Sequence, residues 1–273
     1  MLFRGKMKMF RRVALLFVAL LAAVLLVEPG NMTARMVADS ENGTKVIVLN
    51  YHKVDRMNIS LSVLPEDFDA QMRYLSENNY HTITPQELYD SLSGNLELPE
   101  NPVLITFDDG YADNYRNAYP ILKKYGFKAT IFVISSFLGV EKNYFTWDQA
   151  REMEENGISI QSHTVDHKSM TDLTDDQLRA ELVESKKKIE AELGKPVEFI
   201  AYPTGTYNLH IAQLVKDAGY KAAFTIKFGN VDKASNVFAL ERVPIFHTEN
   251  TQKSFLERIR YIPLFEKFGW TKS

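Results

Sequence analysis

From Lys45 onward, short apolar runs alternate with segments of helical periodicity. This restricts the chain to a parallel α/β architecture, because parallel strands must be joined by long crossovers that usually hold a helix. Strand-like runs fall at 46–49, 103–105, 129–134, 158–160, 199–201 and 222–226. Helical segments fall at 67–75, 86–92, 118–125, 146–156, 175–193 and 211–218. Several carry explicit punctuation: Pro65 and Thr84-Pro85 before helices, Thr174 as an N-cap, and Gly126, Gly157 and Gly194 as stops. There is no internal repeat. Two closures satisfy the alternation, an open doubly wound sheet or a barrel, and both bring polar chemistry to the C-terminal ends of the strands.

The first 27 residues stand apart. Arg4, Lys6, Lys8, Arg11 and Arg12 give five positive charges with no acid, and residues 13–27 are fifteen uninterrupted apolar residues. A basic region before an apolar run is the pattern of a secretory signal. It is short for a bilayer-crossing helix, which needs about 20 residues. Three readings remain, an uncleaved signal-anchor, a cleaved signal peptide or a buried core helix; the basic flank favours the first two, and both translocate the remainder of the chain. Residues 28–43 lack periodicity and are rich in turn formers, so they read as a linker, with one folded domain over 44–273.

Composition narrows the chemistry. The chain has no cysteine, which excludes disulfides, zinc–thiolate sites and cysteine nucleophiles. Any metal must be held by His, Asp or Glu. A formal net charge of −3 argues against a general nucleic-acid binder.

Two constellations carry chemistry. Thr106-Phe107-Asp108-Asp109-Gly110-Tyr111 sets adjacent carboxylates at the end of an apolar strand, where charge is costly without a metal or partner. Successive residues leaving a strand point in different directions, so one Asp can ligate while the other stays free as a base. The alternative is a solvated Asp-Gly turn. His163-Thr164-Val165-Asp166-His167 spaces two imidazoles four residues apart, which on a helical turn puts both on one face. The alternative is a pair of surface histidines. Taken together, Asp109, His163 and His167 give three ligands and an open position, the composition of a catalytic site.

With these motifs the chain resembles the polysaccharide deacetylase family, the NodB-like domain of carbohydrate esterase family four, over about residues 44–245. The resemblance implies a deformed parallel (β/α) barrel of seven strands and a divalent metal, Zn²⁺. It implies Asp109, His163 and His167 as metal ligands and Asp108 as general base. It also implies Tyr111, Tyr202 and Pro203 on the oxyanion and substrate side.

Departures from the family pattern are informative. In Ala201-Tyr202-Pro203-Thr204-Gly205, Tyr202 stands where many members have an arginine that orients the base. Arg242 is read either as that guanidinium supplied from elsewhere or as a surface strand charge. The late Leu-x-His motif has no good match. Ile245-Phe246-His247 is the nearest, in a segment with no helix read after it. Leu49-Asn50-Tyr51-His52 resembles instead the branch whose acid histidine lies on the N-terminal side, which includes deacetylases of poly-β-1,6-N-acetylglucosamine. His52 is therefore preferred to His247 as the acid.

The expected activity is metal-dependent removal of N-acetyl groups from an extracellular amino-sugar polymer. Peptidoglycan, chitin oligomers and a non-catalytic sugar-binding role are the alternatives. The expected partners are an N-acetylated polysaccharide and a membrane. Tyr144, Phe145 and Trp147 read either as sugar-stacking or as core, and His81 and His210 as structural or surface residues.

Overall fold

The computed structural model describes residues 45–260. The signal segment and the linker lie outside the described residues. Among the described residues no helix is long and apolar enough to cross a membrane.

In chain order the elements are β1 (Ile47–Tyr51), β2 (Lys53–Val54), β3 (Ser62–Val63), α1 (Pro65–Glu77), β4 (His81–Thr82), α2 (Pro85–Leu92), β5 (Pro102–Asp109), α3 (Tyr119–Tyr125), β6 (Ala129–Val133) and α4 (Trp147–Glu155). Beyond α4 come β7 (Ile158–Ser162), α5 (Asp175–Leu193), β8 (Phe199–Ala201), α6 (Leu209–Asp217), β9 (Ala222–Phe228), β10 (Leu240–Pro244) and α7 (Thr251–Arg260). Thr84, Thr146 and Thr174 each form a capping box with the Glu or Gln three residues on, so α2, α4 and α5 start where the sequence says they should. Gly126 and Gly194 end α3 and α5 in the left-handed conformation.

Seven strands close a parallel barrel in the order β1-β10-β9-β8-β7-β6-β5, with β5 returning to β1 along Ile47↔Val103 to Tyr51↔Phe107. This resolves the choice between open sheet and barrel. The two-residue strand β4 pairs with the first residues of β5, and β2 and β3 form a separate short ladder.

Period-two alternation sorts the strand residues into two layers. Leu49, Tyr51, Val103, Ile105, Phe107, Ile131, Val133 and Val243 join the helices in the larger core. Val48, Leu104, Phe132, Ala201, Phe224 and Leu240 fill the barrel interior. By the same parity Asn50, Thr106, Asp108 and Arg242 point into the barrel, one layer above its apolar plug. Tyr202 belongs to the outer layer.

Helix α7 corrects the expectation that no helix follows His247. Its buried face rests on Thr251, Phe255 and Ile259, which is too few apolar residues to register as a periodic run.

Candidate active site

The Asp108–Asp109 pair ends β5 at the C-terminal mouth of the barrel. Asp108 faces inward and is 1% exposed. Arg242 on β10, fully buried, meets it in a two-pronged contact: Nη1 donates to Oδ1 at 2.8 Å and Nη2 to Oδ2 at 2.7 Å. This corrects the reading of Arg242 as a surface charge. Arg242 is itself fixed, with Nε donating to the Thr225 carbonyl at 2.7 Å and Nη1 to the Thr106 hydroxyl at 3.2 Å. Asn50 adds a third donor to Asp108, its Nδ2 lying 3.0 Å from Oδ2. A carboxylate offers about four acceptor sites. Three are filled, and the free one is on Oδ1. Burial acts to raise the Asp108 pKa, but the Arg242 charge and its hydrogen bonds outweigh that, with help from His163 and His52, and hold the carboxyl well below the usual range.

Asp109 takes the opposite course. Its φ of 77° lies in the left-handed region, which swings its side chain toward β7 as the chain leaves the strand. Oδ1 is buried without a hydrogen-bond partner. It lies 3.5 Å from Nε2 of His163 and 3.5 Å from Nε2 of His167. The donor atoms of the three residues all fall within 4.8 Å of one another. Ligands at about 2.0–2.2 Å from one tetrahedral ion stand about 3.3–3.6 Å apart, so this donor set fits a zinc-type cation. His163 Nδ1 is 2.8 Å from the Ala201 carbonyl. A carbonyl only accepts, so Nδ1 carries the proton and the Nε2 lone pair faces Asp109. Burial pushes the His163 imidazole pKa down despite Asp108 and Asp109, which favours the neutral form a metal requires.

The expectation of a helical turn at 163–167 is corrected here. Thr164 and His167 have φ of 66° and 57°, which no right-handed helix contains. The rings still converge, with centroids 4.7 Å apart, but they do so across an irregular turn.

His52 directly follows β1 and places Nε2 4.0 Å from Asp108 Oδ2, wider than a hydrogen bond. His247 is tied by its backbone N–H to the Ser60 carbonyl at 2.9 Å. Of these two histidines, only His52 reaches ion-pair range of Asp108 among the described residues.

Tyr111 forms an isolated antiparallel bridge with Tyr144. The flanking bonds run from Ala112 N–H to the Asn143 carbonyl and from Phe145 N–H to the Gly110 carbonyl, leaving the Tyr111 N–H out of both. Its ring stacks on Tyr144 at 5.2 Å and lies under the Lys53 ammonium at 4.1 Å. Burial, together with Asp109 and Tyr144, keeps the Tyr111 phenol protonated, its pKa pushed upward. Burial would lower the Lys53 pKa, but Asp113 at 2.6 Å and Asp55 at 3.1 Å more than offset it and raise it. An open cleft of about 490 Å³ runs from Tyr111 past Asp113, Arg116 and Lys142.

Tyr202 does not face this mouth. It is fully buried, stacks on Tyr207 at 5.0 Å, and donates its hydroxyl to the Phe238 carbonyl at 3.0 Å. Its outward parity explains why its side chain serves the core instead of a substrate contact. Pro203 is buried beside it. Phe145 is core, while Tyr144 is partly exposed. His81 and His210 are exposed, and His210 pairs with Asp175 at 2.8 Å.

Two contributors escape sequence reasoning. Asn50 shares the interior parity of Val48, so a polar residue there is itself a signal. Glu181 sits on the stripe Leu178, Ser185, Ile189 of α5, and an acid on a buried stripe is the signal for it.

Replacing Arg242 by Met leaves a buried carboxylate uncompensated, so the protein is expected to lose about 3–5 kcal/mol in urea unfolding at neutral pH. In the parent protein the folded pKa of Asp108 is depressed. Its contribution is therefore complete above about pH 4 and is lost only as pH falls toward the folded value. In Arg242→Met the largest influence opposing burial is gone, with only Asn50, His163 and His52 left, and the carboxyl takes up a proton at higher pH than in the parent. Adding Asp108→Asn to Arg242→Met should recover part of the loss.

With this geometry established, comparison with known proteins is direct. The sequence profile described as polysaccharide deacetylase matches residues 95–223. Bacillus subtilis (strain 168) YxkH, provisionally named a polysaccharide deacetylase, is 40% identical over 206 residues, covering 76% of this chain and 73% of that one. The poly-beta-1,6-N-acetyl-D-glucosamine N-deacetylase of Staphylococcus aureus (strain MSSA476) is 28% identical over 269 residues, covering 84% of this chain and 92% of that one. Among solved structures, the Streptococcus pyogenes deacetylase PplD in complex with acetate matches with a TM-score of 0.76 at 32% identity, over 80% of this chain and 99% of that one. A fold, a mouth-side arrangement of acid and imidazole, and relatives of this identity and coverage agree: the chain belongs to the polysaccharide deacetylase family and is a polysaccharide N-deacetylase.

Proposed function

We propose that this deacetylase holds a divalent zinc ion on Asp109, His163 and His167 and removes acetyl groups from an amino-sugar polymer outside the cell. The preferred substrate is poly-β-1,6-N-acetylglucosamine. The observation that carries the reading is the division between adjacent carboxylates: Asp108 accepts three bonds from Arg242 and Asn50 and keeps one Oδ1 site open, while Asp109 turns an unpartnered Oδ1 to two imidazole nitrogens. The polymer is suggested by the Staphylococcus aureus relative, whose length this chain covers almost fully, and by the mouth position of His52.

A bound zinc ion would supply Lewis acidity, activating water and polarising the acetyl carbonyl. The chain supplies the rest. Asp108 accepts the proton of the attacking water at its free Oδ1 site, with Arg242 fixing the carboxylate plane. The Tyr111 N–H donates to the oxygen that becomes negative in the tetrahedral adduct, a preorganised contact worth most in a site shielded from water. His52 delivers a proton from Nε2 to the leaving nitrogen as the C–N bond breaks, which gives acetate and a glucosamine unit. The cleft beyond Tyr111 takes the neighbouring sugar.

The deciding experiment is acetate release from poly-β-1,6-N-acetylglucosamine, peptidoglycan and chitin oligomers, with and without chelator. Release from the first, lost with chelator and restored by zinc, is the expected result. Release from peptidoglycan or chitin alone replaces the substrate assignment, and release from none leaves a sugar-binding protein. In the same assay Asp109→Asn should lose both metal and turnover. Asp108→Asn should keep its metal while turnover collapses. Equal metal loss in both would show the roles confused.

His52→Ala should retain metal and lower amide turnover by about 10²–10⁴, the range for a lost acid. An activated ester needs little protonation of its leaving group, so it should suffer far less. An amide-selective loss in His247→Ala instead would move the acid to the later histidine.

The extracellular site rests on the basic residues 4–12 and the apolar run 13–27. Protease added to intact cells should degrade or release the deacetylase domain. Full protection until lysis would overturn that location.

A further inference from the structure

We propose that Glu181, on helix α5, is a positioning residue that sets the place of His167 beside His163 and Asp109; this rests on the metal site proposed above. The turn after β7 has an unfavourable backbone. Two non-glycine residues, Thr164 and His167, adopt left-handed φ within four positions, and such conformations persist only where their surroundings impose them.

The hydrogen bonds of this turn identify what imposes them. Every backbone N–H from 164 to 167 ends on a side-chain oxygen. Thr164 N–H donates to Ser162 Oγ at 3.2 Å, and His167 N–H to Thr164 Oγ1 at 3.2 Å. Val165 N–H and Asp166 N–H both donate to one oxygen, Oε2 of Glu181, at 2.8 and 3.0 Å. Ser162 and Thr164 belong to the segment itself. Glu181 is the acceptor that comes from another element, and it is 6% exposed. One helical turn on, Ser185 bonds Ser162 Oγ at 2.8 Å and so supports the first of these acceptors from the same face of α5.

A buried acid on the packed face of a helix is costly unless it is hydrogen-bonded. Here Oε1 has the Lys168 ammonium at 3.7 Å, and the hydrogen bonds to Oε2 come from the peptide links between the two imidazoles. With Glu181 removed, Val165 and Asp166 N–H groups lose their acceptor. The turn can then relax toward ordinary φ values, which carries the His167 ring away from Asp109 while leaving His163 on the Ala201 carbonyl. Partners behind the ligands of a metal site typically change affinity by about 10–100-fold when lost.

The test uses purified full-length protein, stripped of metal and titrated with zinc against a chromophoric chelator. Glu181→Ala is expected to weaken zinc binding by about 10–100-fold. Glu181→Gln keeps an oxygen acceptor at the same reach and should retain near-parental affinity. Glu181→Asp, one methylene short, should behave like Ala. Cobalt loaded in place of zinc should show an altered visible spectrum in the Ala and Asp variants only. A merely structural role would lower the unfolding midpoint of the metal-free protein and leave zinc affinity unchanged, and that result overturns the proposal. If Glu181→Ala does not fold, the comparison of Gln with Asp decides, and equal affinities overturn it. His163→Ala is the control. If it keeps parental affinity, the metal site itself is wrong; if it loses zinc while the Glu181 variants do not, only the positioning role fails.

Discussion

The buried contact between Asp108 and Arg242 organises the mouth of this barrel. It spans the closure, because β1 lies between β5 and β10 and contributes Asn50 to the same carboxylate. Two charges removed from water cost several kcal/mol each unless geometry and further hydrogen bonds compensate them. Here the guanidinium fork matches both oxygens, and two further donors find Thr106 and the Thr225 carbonyl. Thr106 in turn donates to the Leu49 carbonyl at 2.7 Å, which links β5 back to β1. The pair thus locks three strands in one register and keeps a carboxylate ionised where burial alone would neutralise it.

That lock also explains why neighbouring aspartates differ. Strand parity sends Asp108 inward to Arg242. Asp109 has no place in either packed layer, since its parity faces the outer core, where a charge would be stranded. The left-handed turn at Asp109 removes it from that layer and directs it across the mouth. Non-glycine, non-asparagine residues with positive φ are Asp109, Thr164, His167 and Thr204 among the described residues. All four lie at or just past the C-terminal ends of β5, β7 or β8. Backbone strain is therefore gathered on the face where the proposed ligating and proton-accepting groups meet, while the opposite end keeps asparagines at such positions.

The elements are legible because apolar periodicity and caps are local signals: the start signals at Thr84 and Thr174 and two glycine stops sit where the sequence puts them, and Thr146 proves to be a cap where the pattern counts it as helix. Closure into a barrel is not readable from those patterns. It depends on the tilt of β1 and its pairing with β5 and β10, both distant along the chain, to which periodicity is blind. Arg242 poses the same problem: nothing near Glu241-Arg242-Val243 tells that its partner lies 134 residues earlier. The spacing of His163 and His167 identifies the pair but not its conformation, because four-residue spacing fits a helix and a pinned turn equally. Motif position misplaces Tyr202 on the substrate side, although the alternation Phe199-Ile200-Ala201-Tyr202 already sets it on the outer face. Glu181 is hidden among the many charges of α5 until burial distinguishes it.

A carboxylate held so far below neutral range is a weak base at equilibrium, which bears on the proposed chemistry. What Arg242 and Asn50 give up in basicity they return in placement, since an acceptor fixed by three donors needs no reorganisation when the proton arrives. The proton also need not stay. Arg242 makes the neutral acid unfavourable, so Asp108 releases what it takes. The collapsing adduct generates an amine far more basic than any carboxylate. His52, whose Nε2 is 4.0 Å from an Asp108 Oδ2 already bonded to Arg242 and Asn50, is the proposed separate source of the proton for that nitrogen. In the proposed chemistry an acceptor that cannot retain its proton and a separate donor at His52 divide the two proton transfers, so neither group has to serve as both base and acid.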